Sequence, residues 1–381
     1  MRIGIMLRHL DQNPGGVRLY THRLLENLLQ IDSPHQFFLL YQNPELKGTF
    51  PDSDRHCEVV LSAPSKILWD QYAVARAARK LKLDLIFNPK FSVSLLTEVP
   101  SVFVCHGLDW YVMPWGSLLK DRLSHKFLIP RYAKRAAGIL AVSDTARGHV
   151  LEFLDVEPDR VRTVYLGIDD IFRRQVSADE IEGLRKKLDL PPRFFLYCGQ
   201  IYPAKNFGGL LRAYRDVGPG LGIPLVVAGQ HAFLCHAEIE LAAKLDLTSW
   251  VHWLGWVDHG ELPALYAAAE ALVLPSLYEG FGIPLVEAMA IGCPVVTSNR
   301  FSSQEIVADA GIMVDPEDTS SIAEGMERVA TDESLRHRSI TLGRERAKIF
   351  SWERCAAETL EALERVGEGV MVELESAPQA L

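Results

Sequence analysis

The chain is poor in several features that define large protein classes. It has six cysteines in 381 residues (Cys57, Cys105, Cys198, Cys235, Cys293 and Cys355), scattered and without a C-x-x-C pair, which argues against a disulfide framework or a zinc ribbon. Cys105, Cys198 and Cys293 lie in or beside apolar runs and read as small buried residues. No apolar run approaches the roughly 18 residues that span a bilayer. MRIGIML leads straight into Arg8 and His9, with no signal-peptide core, so the expected compartment is a reducing cytoplasm. Basic residues are outnumbered, 40 Lys and Arg against 49 Asp and Glu, and the net charge of −9 argues against nucleic acid as a partner. The deficit is uneven: residues 1–172 carry +2 and residues 173–381 carry −11, so the first half is better suited to face something anionic. G-x-G-x-x-G, the dinucleotide fingerprint, is also missing.

What is present is a run of short apolar strands separated by helical segments. The length exceeds a typical single core and predicts two domains. In the first half the strands are expected at Arg2–Leu7, Phe37–Tyr41, Leu85–Phe87, Ser101–Cys105, Gly138–Ser143 and Val161–Leu166. In the second half they are expected at Phe194–Gly199, Pro224–Gly229, Trp250–Gly255, Ala271–Leu274, Pro294–Ser298 and Gly311–Val314. A polar stretch ending at Pro191-Pro192 reads as the hinge. The domains are 1–172 and 173–349, with a final amphipathic helix over 350–366. This alternation predicts two parallel-sheet α/β domains.

The most informative stretch is Leu274–Asn299, LPSLYEGFGIPLVEAMAIGCPVVTSN. It reads as a strand end, a glycine-broken loop, a short helix and a second buried strand. Gly280 and Gly282 open backbone angles closed to other residues, Pro284 suits the first helical position, and Gly292 suits the helix end. The loop and first turn then present N–H groups at the carboxyl edge of a sheet, where anions bind in open α/β folds. Glu279 precedes the glycines, and Glu287 is placed in the opening turn, where it can answer the helix dipole. Other candidates also sit at strand ends. Gly15 and Gly16 break the chain after the first strand, with a plain tight turn as the competing reading. Asn88-Pro-Lys90 follows another strand. His106 follows Ser101–Cys105 and precedes Gly107, with Asp109 further on. Gln200-Ile-Tyr-Pro-Ala-Lys205-Asn206 carries a lone lysine at a strand-to-helix turn, a fixed point charge for phosphate and a residue expected to have little core role. Trp256 and Val257 end another strand, and Trp256 reads either as a stacking platform or as core. Asp52-Ser-Asp54 resembles a metal-binding D-x-D pair, but no strand leads into it and it reads as solvated loop. The basic residues of 118–135 read as a solvated helix face, with an anionic membrane surface as the competing reading.

Glu279 and Glu287, with GFGIP between them and EAMA after, resemble the E-x7-E motif of retaining GT-B glycosyltransferases of family 4. The resemblance covers essentially the whole chain. It implies two Rossmann-like domains facing a cleft and a final helix that crosses back onto the N-terminal domain. It also implies transfer of a hexosyl group, mannosyl being preferred, from a GDP- or UDP-sugar to a glycan or lipid-linked acceptor, with no metal and no cofactor. By that resemblance His106, Lys205 and Glu279 are catalytic. Gly15, Gly16, Gln200, Lys205, Val257, Glu279, Gly280, Phe281, Gly282, Ile283 and Glu287 bind the donor. Lys205 holds the pyrophosphate, Glu287 holds the ribose, and His106 and Glu279 lie beside the sugar. The sequence departs from the family where Gly107 replaces an Asp after the His, and where Gln200 stands near a second cation's place. The same resemblance implies a cytoplasmic protein, peripheral at the membrane if 118–135 touches it. The rival readings are a GT-B epimerase or hydrolase, and a non-catalytic sugar-nucleotide-binding subunit.

Overall fold

The computed structural model describes residues 1–11, 15–51, 53–116, 119–229 and 236–370, and the side chains of 119–124 and 236 are outside that description. Pro14, Asp52 and Cys235 therefore lie outside the described residues, as do the side chains of Lys120 and Arg122. The chain divides into two compact units, Met1–Gly167 with the segment from Ser351, and Ile168–Phe350. Among the described residues no helix is long and apolar enough to cross a membrane.

The first unit is a parallel sheet in the order β3-β2-β1-β4-β5-β6-β7. Its strands are β1 (Arg2–Met6), β2 (Gln36–Tyr41), β3 (His56–Val60), β4 (Leu85–Asn88), β5 (Ser101–Cys105), β6 (Gly138–Ala141) and β7 (Val161–Thr163). Central strands of a parallel sheet are covered on both faces, so SVFVC and GILA are buried at every position. β3 is different. It pairs only with β2 at the sheet edge and has no fully buried position, which is why no apolar run announced it.

Helices cover this sheet through narrow stripes. In Lys66–Leu81 the outward residues include Arg76, Arg79 and Lys80, whereas Ala75, Ala77 and Ala78 are buried. This helix contains a π-helical turn at Trp69–Ala73 that drives Trp69 into the core, where its Nε1–H donates to Leu61 O at 2.8 Å. Ser143 caps the helix Asp144–Phe153 by accepting from Ala146 N, as its strand-end position predicts. The final helix, Trp352–Gly367, is capped by Ser351 and buries Cys355, Ala356, Leu363 and Val366 against the first unit, packing on the helix Gly16–Leu28.

The second unit has six parallel strands in the order β10-β9-β8-β11-β12-β13. They are β8 (Phe195–Cys198), β9 (Leu225–Ala228), β10 (Val251–Gly255), β11 (Ala271–Leu274), β12 (Val295–Ser298) and β13 (Ile312–Val314). Pro191-Pro192 lies inside this unit, between the helix Ala178–Leu188 and β8, while the crossing from the first unit is at Gly167. The segment Ile168–Phe172 packs with the second unit, where Phe172 is fully buried against Tyr266 and His259.

In each sheet the strand order reverses direction once, between β1 and β4 and between β8 and β11. Loops leaving adjacent strands at such a point diverge to opposite faces and open a crevice at the carboxyl edge, where ligands of open α/β sheets bind. The fold therefore singles out the loops after β8 and β11 in one unit, and those after β1 and β4 in the other.

Candidate active site

The loop after β8 turns at Pro203–Lys205, and Asn206 takes φ 55° to release the chain into the helix Phe207–Leu221. An asparagine tolerates that left-handed angle better than most residues. Its side-chain amide donates to Pro275 O at 3.1 Å and Pro316 O at 2.6 Å, tying the turn to the loop after β11. The reverse tie comes from Leu277 N and Tyr278 N, which both donate to Ala204 O, at 2.8 and 3.2 Å. The two loops at the β8/β11 switch point are thus built as one body.

At its centre Lys205 Nζ donates to Glu279 Oε1. Both side chains are buried, 9% and 6% exposed, so the lysine is not the loop residue of little core role that was expected. Burial alone would pull the ammonium down, but the carboxylate beside it holds the Lys205 pKa above the ordinary lysine value. Ser276 Oγ donates to the same Oε1 at 2.8 Å, and Ser302 Oγ donates to the backbone O of Glu279 at 2.8 Å. Glu279 is therefore held at both ends. The ammonium also lies 5.7 Å from the centre of the Tyr202 ring.

Beyond Glu279 the loop turns on Gly282, whose φ of 97° a side chain rarely adopts and whose added Cβ would meet Leu285 Cδ1 at 2.7 Å. Gly282 caps the helix Ile283–Ile291 without a side chain, with Pro284 in its first positions and Gly292 (φ 91°) ending it. Pro284 has no N–H and Leu285 N donates to Gly282 O at 2.9 Å, and the positive end of the helix dipole lies at Ile283. Phe281 is buried and packs edge-to-face on Phe350 at 5.5 Å, anchoring the loop from beneath.

Glu287 is the fifth residue of this helix, not part of its first turn, so the dipole reading is corrected. It is buried and accepts a hydrogen bond from Tyr266 OH at 3.0 Å. Desolvation pushes its pKa up to about 7, against the opposing effects of His259 and the tyrosine. His259 in turn pairs with the buried Asp169 at 2.7 Å. The polar cluster Asp169, His259, Tyr266 and Glu287 was not foreseen. Glu287 belongs to the E-x7-E motif, but Asp169, His259 and Tyr266 lie in none, and Asp169 is 90 positions from its partner His259.

The other predicted donor residues are dispersed around this body. Gln200 is exposed, and its carbonyl accepts from Tyr197 OH at 3.0 Å. Val257 is buried, whereas Trp256 is 54% exposed, which removes core filling as the role of Trp256. Gly280 and Ile283 flank Phe281 and Gly282, both half-buried.

In the first unit, Gly15 caps the helix beginning at Gly16, and both are exposed after β1. His106 leaves β5 and its Nε2 lies 2.8 Å from Pro89 O. A carbonyl only accepts, so Nε2 carries the hydrogen and Nδ1 keeps its lone pair. The ring packs against Tyr20 at 4.8 Å and Phe91 at 6.4 Å. Burial lowers its pKa to about 4, the Pro89 carbonyl only partly resisting, so at neutral pH His106 is a neutral acceptor. Nearby along the same edge, Arg8 makes a two-pronged pair with Asp70 at 2.8 and 3.0 Å, and Asp70 also accepts from Ser92 Oγ. His9 is buried with Nε2 at 2.7 Å from Thr21 Oγ1, and its pKa is lowered to about 3, chiefly by desolvation.

Both halves of the chain match known families. Residues 14–171 match the model described as Glycosyltransferase Family 4, and residues 180–346 match Glycosyl transferases group 1. The chain belongs to glycosyltransferase family 4. Its fold is GT-B: a solved structure of an Anabaena protein, Alr3699/HepE in complex with UDP and glucose, superposes with a TM-score of 0.76 at 17% identity, covering 96% of this chain and 99% of that one. Among curated relatives, O-antigen chain mannosyltransferase B of Escherichia coli is 35% identical over 59% of this family 4 chain and 59% of that protein. The serotype-specific mannosyltransferase WbdA of Escherichia coli is 29% identical over 95% of this chain and 46% of that protein. This chain thus spans about half the length of the curated relatives it matches. Among the described residues no group of three or more His, Cys, Asp or Glu side chains is arranged to hold a metal.

Proposed function

We propose that this protein transfers a hexosyl group from a nucleoside diphosphate sugar to a glycan or lipid-linked acceptor, with retention of configuration and without a metal. Mannose from GDP-mannose is the preferred donor, on the likeness to two mannosyltransferases, and UDP-sugars are the alternative. The observation that carries the reading is the buried Lys205–Glu279 pair at the β8/β11 switch point, beside the helix N-terminus at Ile283. A departing diphosphate needs positive charge that is already in place when the glycosidic bond breaks. Lys205 supplies it as a point charge, and the helix N-terminus at Ile283 supplies it as a dipole. Glu279 is engaged by Lys205 and Ser276, which suits a positioning group better than an attacking nucleophile. Attack of the acceptor on the face the diphosphate leaves accounts for retention without a second carboxylate. Glu287 would accept hydrogen bonds from the ribose hydroxyls, and His106 Nδ1 would accept one from the sugar. In this scheme peripheral contact with a membrane would bring a lipid-linked acceptor within reach.

The test begins with thermal shift in GDP, UDP and ADP. A ligand at 100 times its Kd stabilises by about 2.7 kcal/mol. Transfer from GDP-mannose and UDP-glucose is then followed by NMR of the anomeric proton, with and without EDTA. The reading fails if no nucleoside diphosphate raises Tm, or if free sugar or an epimer forms with no acceptor present.

A further inference from the structure

Most soluble surfaces scatter their exposed apolar residues singly, and a cluster of them calls for a partner. Here they cluster. On the helical segment from Lys66, Ile67 is 61% exposed, Leu68 46% and Tyr72 67%. Leu95 and Leu96, 38% and 55% exposed, lie in the loop after β4. Gln71 joins the two segments: its side chain accepts from Leu95 N at 2.7 Å and donates to Val93 O at 3.0 Å, while Ser94 Oγ donates to Gln71 O at 2.9 Å. Five large apolar side chains therefore stand on one rigid, doubly tied platform of the first unit. Trp69, on the same segment, points inward and is fully buried, so the outward set is not a frayed core.

The surroundings are basic. Lys66, Arg76, Arg79 and Lys80 are exposed on the same helical segment. Arg135 reaches Thr97 O from the helix Leu119–Arg135, and one turn earlier Arg131 lies 3.6 Å over the ring of Phe127, itself 60% exposed. Asp70 is buried and already paired with Arg8, so it does not neutralise this rim, and Glu98 is the exposed carboxylate of the loop. Protruding apolar side chains with a tyrosine among them, ringed by Lys and Arg, suit the interface of an anionic bilayer.

We infer that the surface formed by Ile67, Leu68, Tyr72, Leu95 and Leu96, with Lys66 and Arg76 at its rim, docks the first unit onto an anionic lipid bilayer. The inference rests on the proposed lipid-linked acceptor for its purpose, but not for its physics. It moves the membrane contact away from the basic helix of 118–135, where Phe127 is the exposed large apolar side chain among the described residues. Each basic side chain near such a surface is worth about fivefold in partition, and that share fades with salt. The apolar share does not.

The test is co-sedimentation of the full chain with phosphatidylglycerol–phosphatidylcholine vesicles and with phosphatidylcholine alone. A variant carrying Ile67→Ser, Leu68→Ser, Tyr72→Ser and Leu96→Ser alters only exposed side chains and should keep its Tm. Wild type is expected to sediment with anionic vesicles at low salt, and the variant to lose on the order of 10²-fold in partition. Changing Lys126 and Arg131 to Ser should cost at most about fivefold for each residue, and nothing at high salt. Wild type remaining in the supernatant, or the quadruple variant sedimenting like wild type, overturns the inference. So does a lipid-free dimer that the variant abolishes, because the surface would then face a second copy. Nucleoside diphosphate thermal shift on the same samples keeps the enzyme reading separate: it can fail while vesicle binding stands, and the reverse.

Discussion

Glu287 offers a sharp physical test, because a buried acid leaves a signature in the pH dependence of stability. Its pKa is raised from 4.5 to about 7, with desolvation the leading cause. A group whose folded pKa lies above its unfolded value stabilises the fold fully below the unfolded value, near 4.5, and that stability is lost as pH rises through about 7. The difference is worth about 3 kcal/mol at high pH. Glu287→Gln keeps the shape and an oxygen to accept from Tyr266 OH, but it cannot ionise. The variant should therefore match wild type at pH 4.5 and pull ahead between pH 6 and 9. For a unit of this size about 3 kcal/mol corresponds to roughly 6–12 °C in Tm. Differential scanning calorimetry of both proteins across that range reads it directly, following the transition of the second unit. Parallel curves for the two proteins from pH 5 to 9 would refute the buried-acid argument. Ligand binding should show the complementary trend. Ribose hydroxyls donating to Glu287 favour its ionised form, so wild-type affinity for a nucleoside diphosphate should fall below pH 7, and in the variant this dependence should be absent.

Two further outcomes follow from the same geometry. Lys205→Ala should lower transfer by ~10²–10³-fold and, by stranding the buried Glu279, destabilise the fold by ~3–5 kcal/mol. Adding Glu279→Gln should recover most of the stability and none of the transfer, as read by urea denaturation and initial rates; a fully stable single variant would mean the pair is solvated. His106 stays neutral above about pH 4, so kcat should show no break near 6.5 that His106→Gln removes, and such a break in a pH–rate profile would restore it as a general acid or base.

The strands were legible because parallel strands covered on both faces read as uninterrupted apolar runs: Ser101–Cys105 and Ala271–Leu274 appear in the structure with the expected bounds. β3 was not legible, since an edge strand needs little apolar content. The loop–helix around Gly282 was legible from its glycines and proline, whose backbone demands are local. What sequence could not supply was partnership. Lys205 and Glu279 are 74 positions apart, and only the reversal of strand order at β8/β11 makes them neighbours. The same holds for Tyr266 and Asp169, whose roles depend on burial around Glu287. It also explains the misplaced boundary: Ile168–Phe172 continues the polar–apolar texture of the first half but finds its hydrophobic partners in the second.

The course of the chain also imposes an order of assembly. A Cβ on Gly167 would sit 2.2 Å from Trp352 N, so the last residue of the first unit's long segment is moulded to the first turn of its returning helix. Between Gly167 and Ser351 lie the 183 residues of the second unit, counted from Ile168 to Phe350. At a ribosomal pace of about 5–20 residues per second, roughly 10–40 s separate the two halves of that contact during synthesis. Through that interval the apolar groove awaiting Cys355, Ala356, Leu363 and Val366 stays uncovered, while the later unit has all the chain it needs to close its own core. The part made first is thus the part finished last, and for the nascent protein the period of greatest exposure to chaperones and proteases falls on the N-terminal sheet.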